Sequence, residues 1–485
     1  MSYNLVHWLP AVSMSKHGYR RQQVSWSAQA IAAALLARIV VYLSVANASS
    51  SIEWPLQRMA NISGDVFIGV MVPIHERDDR LGQCGRLQGE DGIQLLEAVI
   101  YAVNEINDNT DLLPGFTLGM LALDTCSSES YALKEAIRLI RPYIVAINGS
   151  PGRLNAQNCS KQGQEAAKVV AVVGSTHSAV TIQEATLLGL FNIPQVSYLS
   201  TTPTLSNVER FPYFTRTVPS DVYQAYAIIK ILREFNWTYV SAVYDDSNYG
   251  IKGFQELEKL SFEHDVCFGV TQRLQKEAVQ DVVDDAYDYI ITKLKSNPKA
   301  NVVVAFVDMQ QARRLMAAAH RVRANFTWIG SDGWSSRTSV VDGLESTVDG
   351  AITVQPLART LPGFANYFTR LRPDNHSEKH NPWFKEYWES EFQCRYVGEP
   401  VTPFNSYSRT CTSNETFNNT IALYLHFIYD AVYAIAHALK DMHRVVCGVK
   451  RGMCAEMHDI NVATLTKYLK NVTFKADDYD AVFNP

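Results

Sequence analysis

The feature that most constrains this chain is a repeated alternation of short, almost uninterrupted apolar runs with segments long enough to be helices. The runs are Val66–Val72, Val169–Val173, Gln195–Tyr198, Val240–Tyr244, Val302–Phe306 and Ala351–Val354. A strand with one solvated face alternates apolar and polar residues. These runs do not, so they read as parallel strands covered on both faces. Between the first two, Gly92–Ile106 carries Ile93, Leu96, Val99, Val103 and Ile106 at helical spacing. Strand, helix and strand in repetition specify open α/β sheets. A chain of 485 residues is too long for one such domain. The expected fold is therefore α/β and bilobed, with two doubly wound, mainly parallel sheets.

Ligands of such sheets bind at the loops beyond the carboxyl ends of the strands. Beyond Val169–Val173 comes Gly174-Ser175-Thr176-His177-Ser178, ahead of a helical pattern reaching Leu190. Ser178 and the free backbone N–H groups of that helix start would form an anion site. A plain Ser N-cap explains the same residue. The next strand ends in Ser200, Thr201 and Thr202. Asp221 follows a Pro-Ser pair ahead of another helix, as a cap or facing an ammonium. Tyr249 and Asp332 lie beyond two further strands. Hydroxyls suit a carboxylate. Two acids and an aromatic face suit an ammonium, which gains from cation–π attraction. An α-amino-acid zwitterion needs that set.

Other classes are disfavoured. The formal charge of −5, without a long basic run, argues against a nucleic-acid partner. His177 beside Ser178 is no oriented nucleophile–base pair. No GxSxG, Walker loop or GxGxxG with a suitable acid occurs, so no enzyme and no cofactor is expected. His376 and His380 lack an acidic third ligand, so no metal is expected. Arg20 and Arg21 precede the mostly apolar Ala28–Ala46, interrupted by Arg38 and ending in Ala46-Asn47-Ala48. That reads as a signal peptide over 1–48, with a signal anchor as the alternative. Asn-x-Ser/Thr sequons at Asn61, Asn148, Asn158, Asn236, Asn325, Asn375, Asn414, Asn418 and Asn471 favour a secretory route. The eight cysteines form no CxxC. Cys447 and Cys454, or Cys394 and Cys411, could close small loops, and Cys84 and Cys126 flank a helix-length segment; spacing leaves the connectivity open. The loops Ile144–Gln164 and Arg395–Thr420 are polar and read as mobile.

Several segments carry a resemblance: IPQVSYLSTTPTLS (Ile193–Ser206), YFTRTVPSD (Tyr213–Asp221), FNWTYVSAVYDDSNYG (Phe235–Gly250), FTWIGSDGW (Phe326–Trp334), NPWFKEYWESEFQC (Asn381–Cys394) and AVYAIAHAL (Ala431–Leu439). In this order, from about Gly64 to Pro485, they resemble the extracellular ligand-binding domain of metabotropic glutamate receptors, class C G-protein-coupled receptors. The resemblance implies a Venus flytrap related to periplasmic amino-acid-binding proteins. Residues 64–216 and 355–485 would form the first lobe. Residues 217–354 would form the second, without its last strands. The cysteine-rich and seven-helix domains of the family would lie outside the chain. A free α-amino acid would close the lobes of a dimer, a homodimer or one with a related protomer, joined through the first lobe. A G protein would be reached only through the transmembrane part. The location would be the extracellular side of the plasma membrane. Two rivals share the fold class: a secreted, non-signalling binding protein if the chain ends at Pro485, and the ectodomain of a guanylyl-cyclase-linked peptide receptor.

Carried over residue by residue, Ser178 and Thr201 match positions holding the ligand α-carboxylate. Thr201, Asp221, Tyr249 and Asp332 match positions around the α-ammonium. Cys84–Cys126, Cys394–Cys411 and Cys447–Cys454 match intradomain bridges. Cys159 matches the cysteine linking two protomers, and Cys267 one that pairs with the cysteine-rich domain. The departures lie at the ligand's side-chain end. Where glutamate-binding relatives place gripping cations, this chain has Asp91, Leu95 and Tyr424. Asp91 also reads as a complement to a helix N-terminus. Leu95, one turn later, would share its face. The distal pocket is thus expected to be acidic and apolar, and to repel a side-chain carboxylate. Glutamate is expected to be a poor ligand, and an amino acid with a basic or neutral side chain a better one. Some insect receptors of the family resemble this pattern, lacking the glutamate side-chain grip.

Overall fold

The computed structural model describes residues 54–78, 83–147, 167–275, 280–374, 379–412, 414–417, 421–476 and 479–482. The segment 1–48 expected as a signal peptide or anchor, Cys159 and residues 483–485 lie outside the described residues. Residues from Trp54 onward form one compact unit.

The first sheet is built from β1 (Ala60–Ile62), β2 (Val66–Val72), β5 (Leu118–Asp124), β6 (Val169–Val173), β7 (Gln195–Ser197) and β8 (Phe214–Arg216). Their order is β1-β5-β2-β6-β7-β8, with β1 antiparallel to β5 and the other neighbours parallel. A hairpin of β3 (His75–Asp78) and β4 (Gln83–Leu87) projects beyond β2. The helices between are α1 (Leu95–Asp108), α2 (Glu129–Ile147) and α3 (Ser178–Gly189). The chain then crosses into α4 (Asp221–Glu234) and a second sheet, made of β9 (Tyr239–Asp245), β10 (Cys267–Leu274), β11 (Val302–Phe306), β12 (Thr327–Gly330) and β13 (Ile352–Thr353). That sheet is wholly parallel, in the order β10-β9-β11-β12-β13. Its helices include α5 (Asn248–Glu263), α6 (Gln280–Lys295) and α7 (Met309–Arg321). Finally α8 (Phe384–Phe392), α9 (Leu425–Val446) and α10 (Val462–Leu469) return to the first sheet, whose core takes buried residues from Ala60 to Val218 and again from Phe364 to Phe474. The α/β reading with parallel sheets therefore holds.

Burial explains which strands were legible. β2 and β6 are almost wholly buried, apolar throughout and rich in β-branched residues. β5 is equally buried, but its LGMLALD has no β-branched residue and reads as helical. β10 is an edge strand of mixed exposure, and its CFGVTQRL presents no apolar run. Disulfides join Cys84 to Cys126, Cys394 to Cys411 and Cys447 to Cys454, while Cys267 is exposed and has no disulfide partner among the described residues. The segment after α8 is held by the second bridge and by Asn405, which donates to Glu389 (3.0 Å). Of the other loop, residues 144–147 continue α2. No helix among the described residues is long and apolar enough to cross a membrane.

Candidate functional site

The carboxyl-end loops of the two sheets face a common cavity of about 660 Å³. That size lies in the range for small-molecule sites. Ser178, Thr201, Tyr249, Asp332, Asp91 and Tyr424 all line it. Asp221 and Leu95 are not among its lining residues.

At one end lies the turn between β6 and α3. Gly174 has φ +137°, and a Cβ there would meet the Met71 carbonyl oxygen at 2.5 Å, so the turn requires glycine. His177, not Ser178, takes the cap position of α3, without a side-chain capping bond. Ser178 is the first helical residue and lines the cavity, which removes the plain N-cap explanation. Thr201 stands across from it at the end of the β7 loop, and its carbonyl accepts from the Asp221 N–H (2.9 Å).

The acids form a linked pair. Asp332 Oδ1 accepts from the Tyr249 hydroxyl (2.5 Å) and from Gln224 Nε2 (2.9 Å). Gln224 Nε2 also donates to Asp221 Oδ1 (2.9 Å). Ser220 caps α4, so Asp221 is not the cap; it lies behind Asp332 at 1% exposure. Its Oδ2 is buried without a hydrogen-bond partner among the described residues. Burial, and then the charge of Asp332, pushes the Asp221 carboxyl well above the usual aspartate range; burial raises Asp332 as well. Neither acid sits in an ion pair among the described residues, so a cation arriving here would find two carboxylates needing one. The Tyr249 ring packs against Phe306 at 4.8 Å between centroids, and burial pushes its phenol well up. Gln224, three residues into α4 from Asp221, was missed by the sequence reading. Its signal was only that i,i+3 spacing.

The side-chain end differs from expectation. Asp91 is not a bare acid: Arg337 Nη1 donates to both of its oxygens, at 2.6 and 2.5 Å. The guanidinium also lies 5.6 Å from the centre of the Tyr424 ring, and Arg337 Nε is buried without a hydrogen-bond partner among the described residues. Burial alone would lower the Arg337 pKa, but Asp91 outweighs it and the net shift is upward. The expected acidic and apolar pocket is therefore corrected to one holding an ion pair. Arg337 was invisible to residue matching because it comes from the opposite wall. Its signal was its place on the same strand-end loop as Asp332. Leu95 is a second correction: it is 2% exposed in the core of the first sheet. The reason is local geometry, since Gly89–Gln94 is a π-helical turn and four residues no longer make one turn. Asp91 lies within that turn, at the start of the helix, so its role toward the helix N-terminus and its ion pair coexist.

The walls touch at further points. Tyr424 donates to Gln355 (3.1 Å) and lies 3.2 Å from the Ser335 hydroxyl. Thr202 donates to Asn248 Oδ1 (2.6 Å). Away from the cavity, His75, Asp124 and Cys126 come together, but Cys126 is consumed by its disulfide. His75 there bridges Asp124 (2.5 Å) and Glu386 (3.2 Å), and despite its burial these acids raise its pKa to about 10. The cluster is a buried salt bridge.

Residues 94–479 match the family described as the receptor family ligand binding region. Metabotropic glutamate receptor 4 of Macaca fascicularis is 35% identical over 431 residues, covering 87% of this chain and 46% of the receptor. The chain thus spans less than half the length of that relative. With two parallel sheets meeting over a cavity, this chain belongs to the receptor ligand-binding-region family, as a ligand-binding domain of the metabotropic, class C kind.

Proposed function

We propose that the chain is the extracellular α-amino-acid-sensing module of a G-protein-coupled receptor. Ser178 and Thr201 receive the ligand's α-carboxylate at the N-terminal end of α3. Thr201, Asp221, Tyr249 and Asp332 surround its ammonium. The observation that carries this reading is the buried Asp221 oxygen without a partner, joined through Gln224 to a second unpaired acid. A ligand ammonium supplies the missing donor and charge. Because Tyr249 and Asp332 come from loops of the second sheet, and Ser178 and Thr201 from the first, one zwitterion touches both. Contacts made only when the walls meet shift the equilibrium toward closure. The moving units are 64–216 with 355–485, and 217–354; the first carries the dimer contact.

At the side-chain end Arg337 already has its anion, and Glu90 adds a second acid nearby. A ligand carboxylate would have to draw Arg337 away and leave the half-buried Asp91 unpaired, which is costly. A basic or neutral side chain avoids that cost. Calorimetric titration of the common L-amino acids into the chain tests both statements. Basic or neutral ligands are expected to bind at least about tenfold tighter than L-glutamate. L-Glutamate as the tightest ligand would overturn the side-chain reading. The absence of binding by every amino acid would overturn the function.

A further inference from the structure

One buried acid takes no part in the site just described. Glu184 lies on α3 with no exposed surface. Ser175 Oγ donates to its carboxyl, 2.8 and 2.9 Å from the two oxygens. Gln195 Nε2 bridges it (3.0 Å) to the Gly174 carbonyl (2.7 Å). The Ser175 carbonyl in turn accepts from the hydroxyls of Thr181 (3.2 Å), Ser197 (2.8 Å) and Ser200 (3.0 Å). The next residues, Thr176 to Ala179, line the cavity. The turn proposed to receive the α-carboxylate is therefore pinned from behind by an acid where a hydrophobic side chain would have served the core alone.

We propose that Glu184 is a positioning residue for the ligand's α-carboxylate, fixing the Gly174–Ser178 turn through Ser175 and Gln195. The inference rests on the amino-acid reading of that turn. Glu184 has no ion pair among the described residues. Burial pushes it up to about 8, against the opposing hydrogen bonds of Ser175 and Gln195. The elements around α3 carry Lys134, Glu135, Arg138 and Arg141 on α2, Lys252 and Glu256 on α5, Arg216 on β8, and the Tyr198 phenol. None of these is a cause of the Glu184 shift, although Tyr198 is itself raised in part by Glu184. At neutral pH the group is thus largely protonated, and the turn carries no negative charge beneath it. A ligand carboxylate on the other side of the turn disfavours ionisation of Glu184. By linkage, ionisation disfavours the ligand. The raised carboxyl holds its proton below about pH 8, so the binding-competent form is present there and is lost as pH rises through that value.

The test is calorimetric titration of the common L-amino acids into wild-type chain, Glu184→Gln and Glu184→Ala, from about pH 6 to about pH 9.5. Wild type is expected to lose affinity above about pH 8, approaching tenfold per unit. Glu184→Gln keeps neutral-pH affinity within about twofold and shows only the later decline from the ligand's own amine, while Glu184→Ala weakens binding at least about tenfold throughout. If Glu184→Ala does not fold, the Glu184→Gln profile decides. An unchanged alkaline decline in Glu184→Gln, or wild-type affinity in Glu184→Ala, overturns the positioning role alone. No binding by wild type at any pH overturns the amino-acid reading and the role with it.

Discussion

The two ends of the cavity both place aspartates out of full contact with water, and they resolve it in opposite ways. At the side-chain end, Asp91 meets Arg337 across the cavity, and the charges cancel within the chain. At the other end, Asp332 and Asp221 share Gln224, and Tyr249 donates to Asp332, but no cation of the chain pairs with either acid among the described residues. Buried charges are ordinarily paired. On the proposed reading, the unsatisfied end is where the ligand supplies charge, and the satisfied end is where it need not. This suits a receptor that demands the ammonium of every α-amino acid while being selective about side chains.

The largest expected effect breaks the unsatisfied end. Asp332→Asn removes one acid and keeps its shape, and should weaken amino-acid binding by about 2–5 kcal/mol, at least about thirtyfold. Thermal stability should hold or rise, because a partly buried acid without an ion-pair partner among the described residues is gone. Unchanged affinity by calorimetry would show that the ammonium lies elsewhere.

Next comes Arg337→Ala, which tests the satisfied end. Breaking a buried pair while leaving one charge typically costs about 3–5 kcal/mol. Asp91 and Arg337 keep 18% and 14% side-chain exposure, so a loss below that range, about 2–3 kcal/mol of folding stability, is expected. The double variant Asp91→Ala with Arg337→Ala should recover most of the loss. If the single and double variants melt alike, the pair is not coupled.

These two ends also show what a sequence can reveal. Ser178, Thr201 and Tyr249 each follow a strand that announces itself, and Asp332 follows the shorter TWIG strand, so strand-end logic brought all four to the cavity lining. The uninterrupted apolar runs of β2, β6 and β11 were legible because both of their faces are buried. What stayed hidden was pairwise. Arg337 and Asp91 are 246 positions apart and meet only because two sheets bring their loops together. Leu95 was misplaced because a π turn, whose period is absent from any apolar pattern, rotates the start of α1. Glu184 looks like an ordinary polar residue on a helix, and only the packing of α3 shows it to be buried.

Acid pH should separate the ends by charge. The Asp221–Asp332 pair is raised by burial, so in the free chain it holds a proton above the ordinary aspartate range. A bound ammonium favours the ionised form. Affinity is therefore full above the pair's raised pKa and falls as pH drops through it, by up to about tenfold per unit. In Asp332→Asn the remaining acid has lost its charged neighbour, and the decline should begin at lower pH. A wild-type affinity flat down to the ordinary aspartate range would mean that the pair is already ionised without ligand.

The smallest effect concerns Tyr424, which supports the ion pair from beneath and bridges the walls through its hydroxyl. Tyr424→Phe keeps the ring under Arg337 and removes the contacts to Ser335 and Gln355. That should cost about 0.5–1.5 kcal/mol, a several-fold loss in affinity. Tyr424→Leu removes the ring as well and should add about 0.5–1 kcal/mol. The order matters more than the size. A larger loss in Phe than in Leu would mean that the ring opposes closure, since a hydroxyl deletion is contained within a side-chain deletion. Equal losses would assign the whole effect to the hydroxyl bridge and leave Asp91 as the only partner that matters to Arg337.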